Sequence, residues 1–193
     1  MNQYRSLNLI PPLVRRAKNL ARQMHYRFNC SNGTGRLLRL LASQFQGGVI
    51  GEIGSGCGVG SAWIISALAP GASFVTVEKD PILAAVVRTL YDNLSMVRVL
   101  GGDWMEIVKF GPFSLCYISS NVARFIPPEA VMQALRLGGM IVIDGFVPLE
   151  ELIRKGQKSA DPLRGFWLND PRLEATEIYV ASNEAVILSA RIE

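Results

Sequence analysis

"VIGEIGSGCGVGSAW", residues 49–63, is an apolar run that carries one glutamate, Glu52, and then glycine at 54, 56, 58 and 60. A buried strand that ends in alternating glycines and passes into "VGSAWIISALA" has the form of a strand, a tight turn and a helix. Bare backbone there lets a ligand approach the N–H groups at the helix start.

Downstream, strand-like and helix-like segments alternate. "ASFVTVEKD", "MVRVLGGD", "FSLCYISS" and "GGMIVIDGF" are rich in β-branched and aromatic residues. Between them, "PILAAVVRTLYDNL", "WMEIVKF" and "PPEAVMQALRL" have helical spacing, and "PLEELIRKG" follows as a further helix. Such alternation predicts right-handed βαβ units and a mostly parallel sheet with helices on both faces. "LEATEIYVA" and "EAVILSARI", joined by Ser182-Asn183, read as a closing hairpin, which makes the last strand antiparallel.

Upstream, Pro12 suits a first helical position, and Leu13, Val14, Ala17, Leu20, Ala21 and Met24 form one apolar stripe. Arg15, Lys18 and Arg22 fall on the opposite face. "NCSNGTG" at 29–35 reads as a break, after which "RLLRLLASQF" makes a second helix. The expected organisation is one α/β domain over 1–193, with a helical extension at 1–46 and a cofactor-binding core at 47–193.

At 193 residues, 49% hydrophobic and 19% charged, the composition is that of a globular chain with one core. No charge occurs from Ile53 to Val77, and Gly54 to Gly58 has GxxxG spacing. Pro70-Gly71 interrupts this stretch, however, so it reads as buried core elements and not as a membrane span. Cys30, Cys57 and Cys116 are odd in number and widely spaced, which predicts free thiols and a cytoplasmic location. The N-terminus carries no signal-peptide pattern. Residues 1–51 hold eight bases, from Arg5 to Arg39, and no acid, while the rest of the chain has a net charge of −4. That asymmetry suits an anionic partner or a basic arm lying on an acidic body.

Ligands of open α/β sheets sit outside the carboxyl ends of the strands. Glu78 ends the second strand, where a carboxylate accepts hydrogen bonds from ribose hydroxyls. Asp103 and Trp104 follow the third strand and suit an adenine. A dinucleotide is the competing ligand, because Gly56, Gly58 and Ser61 fit a GxGxxS fingerprint. Glu52 argues against it: a carboxylate two residues before the first glycine repels a diphosphate and suits a cationic amino-acid end. The loop also has no Lys or Arg.

"GEIGSGCGVGSAW", "FVTVEKDP", "VRVLGGDW", "FSLCYISS" and "LRLGGMIVIDGFVP" together resemble the ordered motifs of class I S-adenosylmethionine-dependent methyltransferases. With the tail "FWLNDPRLEATEIYVASNEAVILSAR", the chain is similar to small O-methyltransferases of the catechol and caffeoyl-CoA type over about residues 30–193. The resemblance implies a Rossmann-like, seven-stranded, mostly parallel sheet with a reversed last strand, plus two extra N-terminal helices. It also implies a homodimer through those helices and a small-molecule methyl acceptor. The expected cofactor site comprises Glu52, Gly54, Ser55, Gly56, Gly58, Gly60, Glu78, Lys79, Gly102, Asp103, Trp104 and Ser119.

The family holds a divalent metal with one aspartate after the fourth strand and an acidic pair after the fifth. Here those positions align with Ser119 and with Asp144-Gly145, and the lysine that commonly serves as base is absent. One carboxylate is a poor site for a hard cation, so no metal is expected. Asp144 remains the candidate catalytic base, Arg124 a candidate for the missing positive charge, and His25 is read as an ordinary helix-end histidine. The function that follows is methylation of a small molecule on oxygen without a metal. The alternatives are a non-catalytic cofactor-binding protein and, less favoured, an RNA methyltransferase.

Overall fold

The computed structural model describes residues 9–156 and 161–193. Arg5 of the basic segment lies outside them. The strands are β1 (Gly48–Ile53), β2 (Ala72–Glu78), β3 (Val97–Gly101), β4 (Phe113–Ser119), β5 (Leu135–Phe146), β6 (Leu173–Ala181) and β7 (Glu184–Arg191). They form one sheet in the order β3-β2-β1-β4-β5-β7-β6. β1 to β5 are parallel, and β7 runs antiparallel to both β5 and β6. The strand order reverses between β1 and β4, so a crevice opens at their carboxyl ends.

Nine helices occur among the described residues. They are α1 (Pro12–Gln23), α2 (Asn32–Ala42), α3 (Val59–Ile65), α4 (Pro81–Tyr91), α5 (Met105–Val108), α6 (Ser120–Ala123), α7 (Pro128–Gln133), α8 (Leu149–Arg154) and α9 (Pro162–Asn169). Two hydrophobic layers cover the sheet. Val14, Ala17, Leu38, Trp63 and Val87 from α1 to α4 pack on Ile50, Phe74, Leu115 and Val142. Ile107, Ala123, Val131 and Trp167 from α5, α6, α7 and α9 pack on Val75, Ile118 and Ile141 of the opposite face. Burial on both faces explains the near-continuous apolar runs of β1, β2 and β4.

Local chemistry sets several helix starts. Asp80 Oδ1 accepts from the N–H groups of Ile82 at 2.8 Å and Leu83 at 3.2 Å, with Pro81 at the first helical position. Three sequence expectations need correction. The break expected over "NCSNGTG" ends earlier than 35: residues 29–31 are non-helical, but α2 already begins at Asn32, capped by Ser31 Oγ accepting from Thr34 N at 3.1 Å. Gly35 lies inside that helix because a Cβ there would collide with the buried Trp63 indole of α3. "ALRL" does not continue α7, since Leu135 already starts β5. Finally, α6 and α9 were not anticipated.

Candidate functional site

The glycine loop of residues 54–58 joins β1 to α3. Gly56 has φ +53°, and a Cβ there would sit 2.6 Å from Tyr26 Oη. Gly58 has φ +78° and forms the N-cap of α3, while its carbonyl accepts from Tyr91 Oη at 2.5 Å. Both positions need the left-handed backbone that glycine adopts without penalty.

Next to the loop lies a cavity of about 400 Å³. Glu52, Gly54, Ser55, Gly60, Glu78, Lys79, Gly102, Asp103, Trp104 and Ser119 all line it. Gly56 and Gly58 do not; they shape the loop behind it. Thus the carboxyl ends of β1, β2, β3 and β4 converge on one space, of the size that small-molecule sites occupy.

Glu52 is the electrostatic centre of the site. It is almost wholly buried, and its Oε2 accepts from Ser61 Oγ and, at 2.8 Å, from Thr76 Oγ1. Its Oε1 has no hydrogen-bond partner and approaches Gly60, where a Cβ would lie 2.6 Å away. Burial raises the Glu52 pKa to about 7 against the two hydroxyl donors. A buried, half-satisfied carboxylate facing a cavity suits a cationic donor group.

At the end of β2, Glu78 accepts from Gly56 N at 2.8 Å and from Asp80 N at 3.0 Å. These bonds fix its carboxylate at the cavity wall and leave it further acceptor capacity. Asp103 is exposed, and its Oδ1 accepts from Met105 N at 3.1 Å, which turns the chain into α5. Trp104 beside it is partly buried against the core.

Ser119 and Asp144 are register partners on neighbouring strands. Asp144 is buried outside the cavity and accepts from Tyr117 Oη at 2.7 Å. Burial raises its pKa to about 6, and the Tyr117 hydrogen bond opposes that rise. Gly145, with φ +80°, has Ser120 Oγ 2.7 Å from where a Cβ would be, so no ligating side chain fits without moving Ser120. Among the described residues no group of three His, Cys, Asp or Glu is placed to hold a metal. A serine, one carboxylate and a glycine do not form a hard-cation ligand set.

Arg124 does not supply the missing charge, because its guanidinium is paired with Asp161 through bonds of 3.0 and 2.8 Å. His25 is exposed and lies outside the cavity lining, at φ +52°. There it ends α1, with His25 N bonded to Arg22 O at 3.1 Å and Tyr26 N to Ala21 O at 2.9 Å. Cys57 is buried packing.

The sequence reading missed Tyr117, Tyr26, Phe28 and Phe125, all of which line the cavity. Phe28 and Phe125 are 72% and 84% exposed and form an apolar mouth. Period two along β4 would have found Tyr117, since it shares a face with Ser119 and is the register partner of Glu52.

No family model matches the chain. A catechol O-methyltransferase of Niastella koreensis is 30% identical over 61% of this chain and 58% of its own length. A protein-L-isoaspartate O-methyltransferase of Methanothermobacter thermautotrophicus is 32% identical over 58% and 54%. The chain thus spans little more than half the length of these curated relatives. The crystal structure of an O-methyltransferase from Bacillus cereus in complex with SAH superposes with a TM-score of 0.77 and 24% identity, over 98% of this chain and 96% of that one. The fold is therefore that of class I methyltransferases, and the relatives by sequence are O-methyltransferases.

Proposed function

We propose that this chain binds S-adenosylmethionine in the cavity between β1 and β4 and methylates an oxygen of a small molecule without a divalent metal. The observation that carries the reading is Glu52, a buried carboxylate of the cavity lining that has one oxygen without a hydrogen-bond partner among the described residues. Such a group matches the cationic amino-acid end of this cofactor and disfavours a dinucleotide. Glu78 would take the ribose hydroxyls, and Asp103 with Trp104 the adenine.

Bound there, the cofactor would supply an electrophilic methyl group to the acceptor oxygen, with S-adenosylhomocysteine as the leaving group. The protein's own part is positioning, exclusion of water and removal of one proton. Tyr117 faces the cavity and donates to Asp144 behind it. A proton leaving the acceptor hydroxyl passes to Tyr117 Oη while the Tyr117 proton moves to the Asp144 carboxylate. With its pKa near 6, Asp144 is ionised at neutral pH and serves as base through the tyrosine. Phe28 and Phe125 would flank an apolar acceptor at the mouth.

The reading takes the chain as a single methyltransferase unit in the cytoplasm, paired as a homodimer through its N-terminal helices. Exposed Leu9 and Leu40 in that region support the pairing. No helix among the described residues is long and apolar enough to cross a membrane. Sedimentation at micromolar concentration tests the dimer, and a monomer there overturns it.

Calorimetry with S-adenosylmethionine and S-adenosylhomocysteine tests the cofactor; no binding at millimolar concentration would sink the proposal. Methyl transfer to a panel of hydroxylated aromatics, with magnesium and with chelator, tests the chemistry. Activity lost on chelation contradicts the metal-free reaction. Cofactor binding without transfer to any acceptor favours the non-catalytic alternative, which the glycine at 145 supports.

A further inference from the structure

A second cavity, about 450 Å³, adjoins the first and shares Tyr26, Asn29 and Cys30 with it. Its other wall is α1, which contributes Arg15, Lys18 and Arg22. We propose that this cavity is an anion subsite for the methyl acceptor, so that the substrate is a small molecule bearing a carboxylate or phosphate. The proposal rests on the methyltransferase reading and specifies its substrate class.

Spacings of three and four residues place the three cations along one face of α1. Among the described residues each donates to a neutral acceptor. Arg15 Nε donates to the Ile10 carbonyl at 3.0 Å, Lys18 Nζ to Asn32 Oδ1 at 2.5 Å, and Arg22 to Asn19 Oδ1. No carboxylate among the described residues forms an ion pair with them. Three like charges on two helical turns repel one another, and an anion among them removes that cost. Their remaining guanidinium and ammonium donors suit carboxylate or phosphate oxygens.

The two cavities have opposite charge. The first holds Glu52, Glu78 and Asp103 against one lysine, Lys79; the second holds three bases and no acid. A cationic cofactor and an anionic acceptor are thereby sorted into adjoining spaces, which meet at the Tyr26 ring. Tyr26 stays a neutral phenol at any physiological pH, since burial pushes its pKa to about 12, and it packs edge-on against Phe28 with ring centres 5.8 Å apart. It forms an aromatic wall between the anion site and the mouth. This assignment accounts for part of the basic N-terminal segment without a nucleic-acid partner.

The test is calorimetry on the protein loaded with S-adenosylhomocysteine. The probes are 4-hydroxycinnamate beside its neutral amide, and phenyl phosphate beside phenol. We expect each anion to bind at least about tenfold more tightly than its neutral partner, with the preference shrinking as salt is raised. In the Arg15→Gln/Lys18→Gln/Arg22→Gln variant the preference should vanish while S-adenosylhomocysteine still binds. Glutamine keeps a polar donor and removes the mutually repelling charges, and circular dichroism checks that the variant folds. Equal affinity for acid and amide, an undiminished preference in the variant, or no anion binding at millimolar concentration overturns the subsite. Failure of S-adenosylhomocysteine itself to bind is a separate result, which overturns the underlying function and the subsite's role with it.

Discussion

Tyr117 Oη donates a 2.7 Å hydrogen bond to Asp144 Oδ2, joining a residue of the cavity wall to a carboxylate buried behind it. If the proton leaves along this path, Tyr117→Phe should lower kcat by about a hundredfold, the scale of one general base. The KM for S-adenosylmethionine should stay within about twofold, because Glu52 and Glu78 are untouched. Asp144→Asn should have a similar effect, and the double variant should be little worse than either single one, as for residues acting as a unit. Steady-state kinetics decide this, and a Tyr117→Phe enzyme of near wild-type rate removes the relay.

Glu52 should couple pH to stability and, on the proposed function, to cofactor affinity. Its pKa is raised to about 7 and that of Asp144 to about 6, whereas in the unfolded chain both ionise near pH 4. Between those values the folded protein holds protons that the unfolded chain has released. The associated stability is complete below the window and is lost as pH rises through the folded pKa values. Thermal melts of the cofactor-free protein should therefore show a higher Tm near pH 5 than near pH 8, with a smaller difference in Glu52→Gln. Affinity for S-adenosylmethionine should run the other way, weakening by up to about tenfold per pH unit below 7, because the cation needs the ionised carboxylate. Affinity independent of pH would separate Glu52 from the cofactor.

Gly60 gives a steric test of the same contact. A Cβ there would lie 2.6 Å from both Glu52 Oε1 and Tyr117 Cε1. Gly60→Ala should fill the space in front of the unpartnered oxygen, weakening S-adenosylhomocysteine binding at least about tenfold and lowering stability by about 1–3 kcal/mol through overpacking. Calorimetry beside a denaturant titration separates the two effects, and unchanged affinity in a folded variant counts against cofactor contact at Glu52.

The strand–helix alternation was legible because burial on two faces leaves apolar runs, and because Pro12, Pro81 and Pro128 mark helix starts. The cavity-lining acids were legible because each lies at or next to the carboxyl end of a strand. Gly35 was misread as a breaker because its reason is tertiary, the Trp63 ring of another helix. Tyr117 lies within "FSLCYISS", which reads only as a strand. Its link to Asp144 depends on the pairing of β4 with β5, which no local pattern reveals. The cation face of α1 was visible in sequence, but the cavity it lines was not.

His25 holds a left-handed backbone at the end of α1, where glycine is the usual residue. His25→Gly should therefore preserve or raise stability, by up to about 1 kcal/mol, the scale of the left-handed penalty. Since the imidazole is exposed outside the cavity lining, methyl transfer should be unchanged. A large loss of rate in a stable His25→Gly protein would make His25 a candidate base.

Ser119→Asp probes the metal question. Register pairing on neighbouring strands, about 4.8 Å apart, would set the new carboxylate beside Asp144 on one face. Without a cation, a carboxylate at the cavity wall beside the buried Asp144 repels it, so the variant should melt several degrees below the wild type at pH 8 in chelator. Magnesium or calcium should restore part of that loss, since two carboxylates begin an oxygen ligand set. Recovery should remain incomplete because Gly145, closed off by Ser120, supplies no third side chain. The wild type should show no change in Tm with either cation, because Asp144 alone, tied to Tyr117, offers too few oxygens. Wild-type protein stabilised by magnesium as strongly as the variant would contradict the metal-free reading of this site.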